Sequence, residues 1–147
     1  YPNGKVQTKQ HRIDNDGEQH WKTSSQKECV YDMMSIFLRA RSFNPASWKK
    51  GYVVDFPLIG GKTLLQARII YNGKKTIKAD NDKKYRCLEL AYYEKEDGKW
   101  RNLANFFVTD DDNHIPIRLD MNLKFGSAKA FLISMKGIRH KIASQVN

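Results

Sequence analysis

The chain has 147 residues, 26 lysines and arginines against 16 acids (a formal charge of +10), 40% apolar and 12% aromatic residues, and two cysteines. That length suits one domain able to bury about 70% of its unfolded surface without metal or disulfide staples. No apolar run approaches the roughly 18 residues a membrane helix needs, and the polar, basic opening is no signal peptide. The positive charge favours acidic partners, but the lysines fall in pairs such as Lys49-Lys50, Lys74-Lys75 and Lys83-Lys84 with acids nearby. Such spacing reads as a solvated sheet surface rather than a nucleic-acid footprint, so no nucleic-acid partner is expected.

In chain order, Val6 to Ile13 alternates weakly, Asn15-Asp16-Gly17 is a turn, and Gln19 to Thr23 reads as the returning strand of a hairpin. Ser25-Gln26-Lys27-Glu28 has the form of a capping box, which predicts a helix from there to Arg41. Val30, Met33, Met34, Phe37, Leu38 and Arg41 then form a helical stripe, with Pro45 beyond its end. Strands are expected at Tyr52 to Phe56, Thr63 to Tyr71, Lys75 to Ala79, Tyr85 to Tyr93 and Trp100 to Thr109. The turns between them are Leu58 to Lys62, Asn72-Gly73, Asp80 to Lys83 and Asp97-Gly98.

The stretch Ile115 to Phe125 organises the rest. Its odd positions Ile115, Ile117, Leu119, Met121, Leu123 and Phe125 are apolar, and its even ones are polar, charged or proline. Strand geometry would put all six on one face of a central strand roughly 36 Å long. Ala128 to Met135 makes the last strand, and the basic tail from Lys136 is expected to fray. The reading is an α+β fold: a meandering, curved, mostly antiparallel sheet, half-barrel-like, with one main helix packed on it. Residues 1–147 form a single β-rich domain in this reading. The start at Tyr1 rather than Met points to a processed or shortened product, with an export signal expected upstream.

No stretch carries a reaction. Asp110-Asp111-Asp112 lacks the spaced ligands of a calcium loop and reads as a turn bonding its own amides. His11, His20, His114 and His140 have no metal-ligand spacing, so neither metal nor cofactor is expected. Cys29 falls in the expected first helical turns with no base beside it, and it reads as buried or bonded. Cys29 and Cys87 allow one disulfide, which the sequence leaves open. Gly60-Gly61-Lys62-Thr63 lacks the preceding glycine and following helix of a phosphate loop. Trp21, Trp48 and Trp100 read as sheet residues.

Several segments in order resemble the domain-of-unknown-function family 3108, exported proteins of Gram-negative bacteria. They are Cys29 to Arg39, Trp48-Lys49-Lys50-Gly51, Tyr71-Asn72-Gly73-Lys74-Lys75, Tyr85-Arg86-Cys87-Leu88, Val108 to Arg118, and Phe125-Gly126-Ser127-Ala128. The resemblance covers roughly residues 28 to 133. It implies a signal peptide and further N-terminal strands in a longer precursor, a periplasmic or envelope location and a mostly antiparallel β domain, and it brings no catalytic residues. The curved sheet with one helix is similar, at the level of fold alone, to the half-barrels of lipoprotein carriers.

The functional expectation is a monomeric, non-enzymatic binding module. Its groove between sheet and helix would be lined by Met33, Met34, Phe37, Leu119, Met121 and Leu123, and would take a lipid-like or lipoprotein-type ligand or another envelope component. One alternative is an enzyme acting on an envelope polysaccharide, with Asp110, Asp112 and His114 as candidates and the tryptophans as a sugar platform. The other is a basic surface that binds acidic polymers.

Overall fold

In a computed structural model, residues 4–60 and 63–146 are described, without the side chains of Met33, Phe37 and Thr63. The elements are β1 (Val6–Ile13), β2 (Gln19–Gln26), the helix α1 (Met33–Ala40), β3 (Val53–Gly60), β4 (Thr63–Lys78), β5 (Lys84–Glu96), β6 (Lys99–Thr109), β7 (Pro116–Leu123), β8 (Gly126–Phe131) and β9 (Gln145–Val146). The first two strands pair only with each other. The rest form an open antiparallel sheet in the order β3-β4-β5-β6-β7-β8, with β9 added to the start of β5. Sequential order follows from tight turns such as Asp97-Gly98, where both residues hold positive φ (50° and 76°), the backbone that a two-residue hairpin requires.

The helix begins later than Ser25. Residues through Gln26 are held in the hairpin, where Gln26 lies opposite Val6 and the Ser24 and Thr8 hydroxyls meet at 2.6 Å. Tyr31 is then fixed in extended backbone against β3: its amide donates to Pro57 O (3.1 Å) and its carbonyl accepts from Ile59 N (2.7 Å). Only after it can the chain coil, and the cap is Asp32. Asp32 Oδ1 accepts from Ser35 N at 2.7 Å, and the Asp32 amide donates to Ser35 Oγ at 2.9 Å. Cys29 therefore precedes the helix, and it is exposed. Among the described helix side chains the buried one is Ile36, outside the expected stripe, with Ala40 one turn on. Met34 (71% exposed) and Leu38 face outward along one edge.

Three β-bulges set which side chain faces which way. Asn72-Gly73 does not turn the chain. It is an extra residue inside the 16-residue β4, between the pairs Tyr71–Leu90 and Gly73–Glu89. A second shift displaces β6 against β5 beside Tyr92 and Tyr93, and a third falls where β7 meets Phe107 and Val108. In β7 and just before it the odd-numbered apolar residues are consequently split. Leu119 joins the cluster under the helix, whereas Ile115 and Ile117 join a second cluster on the opposite face. The run also loses cover along its length, since Leu123 is 55% and Phe125 100% exposed. Six apolar residues on one face is thus not the arrangement, because a single bulge reverses the side-chain parity of everything beyond it. Nor is β7 central: it lies next to the edge strand β8.

The helix-side core is Ile36, Phe56, Leu58, Ala67, Ile69, Tyr71, Leu88, Leu90, Tyr92 and Ala104. Leu58, expected in an exposed turn, is buried because β3 continues through Pro57 to Gly60; Gly61 and Lys62 lie outside the described residues. Proline is tolerated there because β3 is an edge strand. The other face carries Ile77, Ala79, Tyr85, Cys87, Phe107 and Ile117, covered by Leu132, Met135 and Ile142 of the C-terminal segment. That segment does not fray. Ser144 is fully buried, its carbonyl accepts from Arg86 N at 2.7 Å, and β9 pairs with Lys84 and Tyr85.

Candidate functional site

The acidic turn between β6 and β7 holds the two faces together. Thr109 Oγ1 donates to Asp111 Oδ1 (2.9 Å) and accepts from Ile115 N (2.8 Å), closing the turn. Asp111 also accepts from the Asn113 amide (3.1 Å), Ser144 N (3.2 Å) and Ser144 Oγ (2.6 Å). Burial pushes the Asp111 carboxyl up, but these donors outweigh it and hold the group below the ordinary carboxylate value. The Asn113 side chain bonds the His140 backbone on both sides, donating to its carbonyl (3.0 Å) and accepting from its amide (3.0 Å). Asp110 contacts Lys74 Nζ at 2.8 Å and Arg86 Nε at 2.6 Å. Burial raises its pKa, and those two cations lower it further than burial lifts it. Asp112 is exposed. The candidate carboxylates thus divide into a clamp for the C-terminal segment, an ion-paired group and a solvated one. No cluster of three or more metal-ligating residues occurs among the described residues.

The tryptophan faces meet their own neighbours. Arg68 lies 3.7 Å from the Trp100 ring centre, His11 stacks on Trp21 at 3.9 Å, and Tyr52 stacks on Trp48 at 4.8 Å. Cys29 and Cys87 are both free. Cys87 is buried on the face away from the helix, and its thiol is pushed up to about 12 by burial, with Asp110 and Asp111 adding to the effect.

Between α1 and the sheet lies a pocket of about 130 Å³, lined by Met34, Ile36, Leu38, Ala40, Arg41, Ile69, Leu90, Tyr92, Phe106, Val108, His114 and Pro116. Its walls are almost wholly apolar. Tyr92 brings no free hydroxyl, because that group is bonded to Glu94 at 2.5 Å; burial, with Glu94 adding, pushes the phenol's pKa up. An apolar cavity of roughly 150 Å³ can stay dry and bind benzene, so this one suits an apolar group of about that size. Pro116 reaches the pocket because the β7 bulge turns it to the same side as Val108, its pairing partner. The polar groups are at the mouth. Arg41, just past the helix end, donates to Asn113 O (3.2 Å), and His114 Nδ1 lies 2.9 Å from Arg41 O. A carbonyl oxygen only accepts, so Nδ1 carries the proton. A wider cleft of about 690 Å³ shares Leu38, Arg41 and Pro116 with the pocket and continues along residues 134–140.

Of the residues read from the sequence as groove lining, Met34 is at the pocket. Leu119 packs on the helix-side core, Met121 is half-buried, and Leu123 is exposed near the β7–β8 turn. The side chains of Met33 and Phe37 lie outside the described residues. Sequence reasoning passed over Ile36, Ile69, Leu90, Val108, Arg41 and Pro116. The alternation of Leu88, Leu90 and Tyr92 within β5 was a readable signal for one of them.

An open antiparallel sheet with one helix lying across it and an apolar pocket under that helix defines an α+β class of domain. Residues 1–133 match the family described as "Protein of unknown function (DUF3108)", and the chain belongs to that family. The match takes in the N-terminal hairpin and β3 to β8, and ends before β9. Neither a curated protein nor a solved structure matches the chain.

Proposed function

We propose that this protein is a non-enzymatic binding module of the bacterial envelope, exported from the cytoplasm, that takes the apolar end of a lipid-like ligand between α1 and the sheet. The observation that carries this reading is the pocket itself. Its walls are apolar, and its rim is formed by the exposed side chains Met34 and Leu38. An apolar hollow with an apolar border is the form that sites for small apolar ligands take. The export and envelope part rests on the family resemblance. The choice of binding over catalysis rests on the acidic turn, in which Asp110 and Asp111 are already committed to internal partners.

Native mass spectrometry of the purified protein, followed by solvent extraction, tests the proposal. A co-purifying acyl-chain species, lost when Val108→Phe fills the pocket, is the expected result. A protein free of lipid that also fails to take up an added single-chain amphiphile would overturn it.

A further inference from the structure

We infer that the ligand is a single-chain fatty acid, its tail in the pocket under α1 and its carboxylate at the cationic cleft beside the pocket mouth. The inference rests on the binding reading above and adds the chemistry of the head. Pocket and cleft share three wall residues, Leu38, Arg41 and Pro116, so a chain emerging from the pocket passes directly into the cleft. The pocket alone is too small for a whole acyl chain, since cavities that enclose complete small-molecule ligands run to roughly 300–1,000 Å³. With the adjoining cleft of about 690 Å³ the available space reaches that range. Where the route leaves the pocket it is apolar through Leu38 and Pro116, which suits a methylene chain rather than a sugar.

The far part is cationic. Lys136 and Arg139 line it and Arg41 stands where it meets the pocket, against one carboxylate, that of Asp112. Lys136 and Arg139 are exposed and form no ion pair among the described residues. Arg41 spends one donor on the Asn113 carbonyl and makes no ion pair there either. Elsewhere the cations near the acidic turn, Lys74 and Arg86, are matched to Asp110. The cleft is therefore a place where positive charge is left uncompensated beside an apolar entrance, complementary to a tail with an anionic end. The C-terminal segment that supplies Lys136 and Arg139 is held in place by Asn113 and Asp111, so these cations sit on an anchored strap.

Titration calorimetry with dodecanoate and dodecyltrimethylammonium below their micelle concentrations, and dodecanol below its solubility limit, reads the head directly. Dodecanoate should bind tightest and the ammonium weakest, with the dodecanoate preference shrinking as salt rises. In the double variant K136A/R139A, dodecanoate affinity should fall roughly two- to thirtyfold, the range for losing two exposed ion pairs, while dodecanol binding stays unchanged and certifies the fold. Equal binding of dodecanoate and dodecanol, or a preference that survives the double variant, overturns the head assignment and leaves the apolar pocket standing. Failure of all three probes to bind overturns the pocket reading and this inference together.

Discussion

Replacing Asp111 by alanine should release the C-terminal segment from the sheet. Its carboxylate accepts four hydrogen bonds, two of them from Ser144 and one from Thr109, residues with no exposed surface. Each buried donor left without a partner costs about 1–3 kcal/mol. Asp111 is itself half-buried, so water can reach part of the gap, and the lower end of that range applies. The sum is about 3–4 kcal/mol, a large part of the roughly 5–15 kcal/mol by which domains are stable. Urea unfolding at neutral pH, followed by circular dichroism, would measure it, with hydrogen exchange reporting on the amides of residues 140–146. Those amides should lose protection in the variant. Asp112→Ala, one residue along and exposed, should change stability by no more than about 0.5 kcal/mol. A loss below about 1 kcal/mol for Asp111→Ala, with residues 140–146 still protected, would refute the reasoning.

Three further outcomes follow from the same structure. Asp110 and Asp111 both titrate below their ordinary value in the fold, so the unfolded chain binds more protons in acid. Their contribution is complete above the unfolded-chain pKa of about 3.9 and disappears as pH falls through the lower folded values. Stability should therefore drop on acidification below about pH 4, and Asp111→Ala should flatten that limb. A thiol reagent at pH 8 should modify the exposed Cys29 quickly and Cys87 only on unfolding; two fast thiols would contradict the placement of Cys87. Gly73 holds φ +106° in the β4 bulge with open space around its missing Cβ. Gly73→Ala should thus cost about 1–3 kcal/mol through backbone strain alone, readable as a lowered urea midpoint, and an unchanged midpoint would argue against the bulge.

The class of fold was legible because most of its signals are local. Alternation in Tyr85 to Tyr93 and Trp100 to Thr109, and turn chemistry at Asp80 to Lys83 and Asp97-Gly98, place β5 and β6 directly. The pocket was harder to read because it depends on register. Asn72-Gly73 can close a hairpin or sit in a bulge, and the choice is made by the long pairing of β4 with β5 rather than by the dipeptide. The alternation of Ile115 to Phe125 carries no mark of the extra residue that sends Ile117 and Leu119 to opposite faces. The helix start misled for a similar reason. Ser25 and Glu28 satisfy a local rule, but the hairpin claims Ser25 first, and the equally local pair Asp32 and Ser35 makes the cap. Anchoring of the tail through Ser144 and His140 depends on partners some thirty residues away and leaves no local trace.

The most direct test of binding between helix and sheet is methyl NMR of the isoleucine-, leucine-, valine- and methionine-labelled protein titrated with dodecanoate. The account predicts concerted shifts at Met34, Ile36, Leu38, Ile69 and Val108, all walls of the pocket, with Ile77 and Ile142 on the opposite face unmoved. Saturable shifts confined to that opposite face or to the N-terminal hairpin would contradict it.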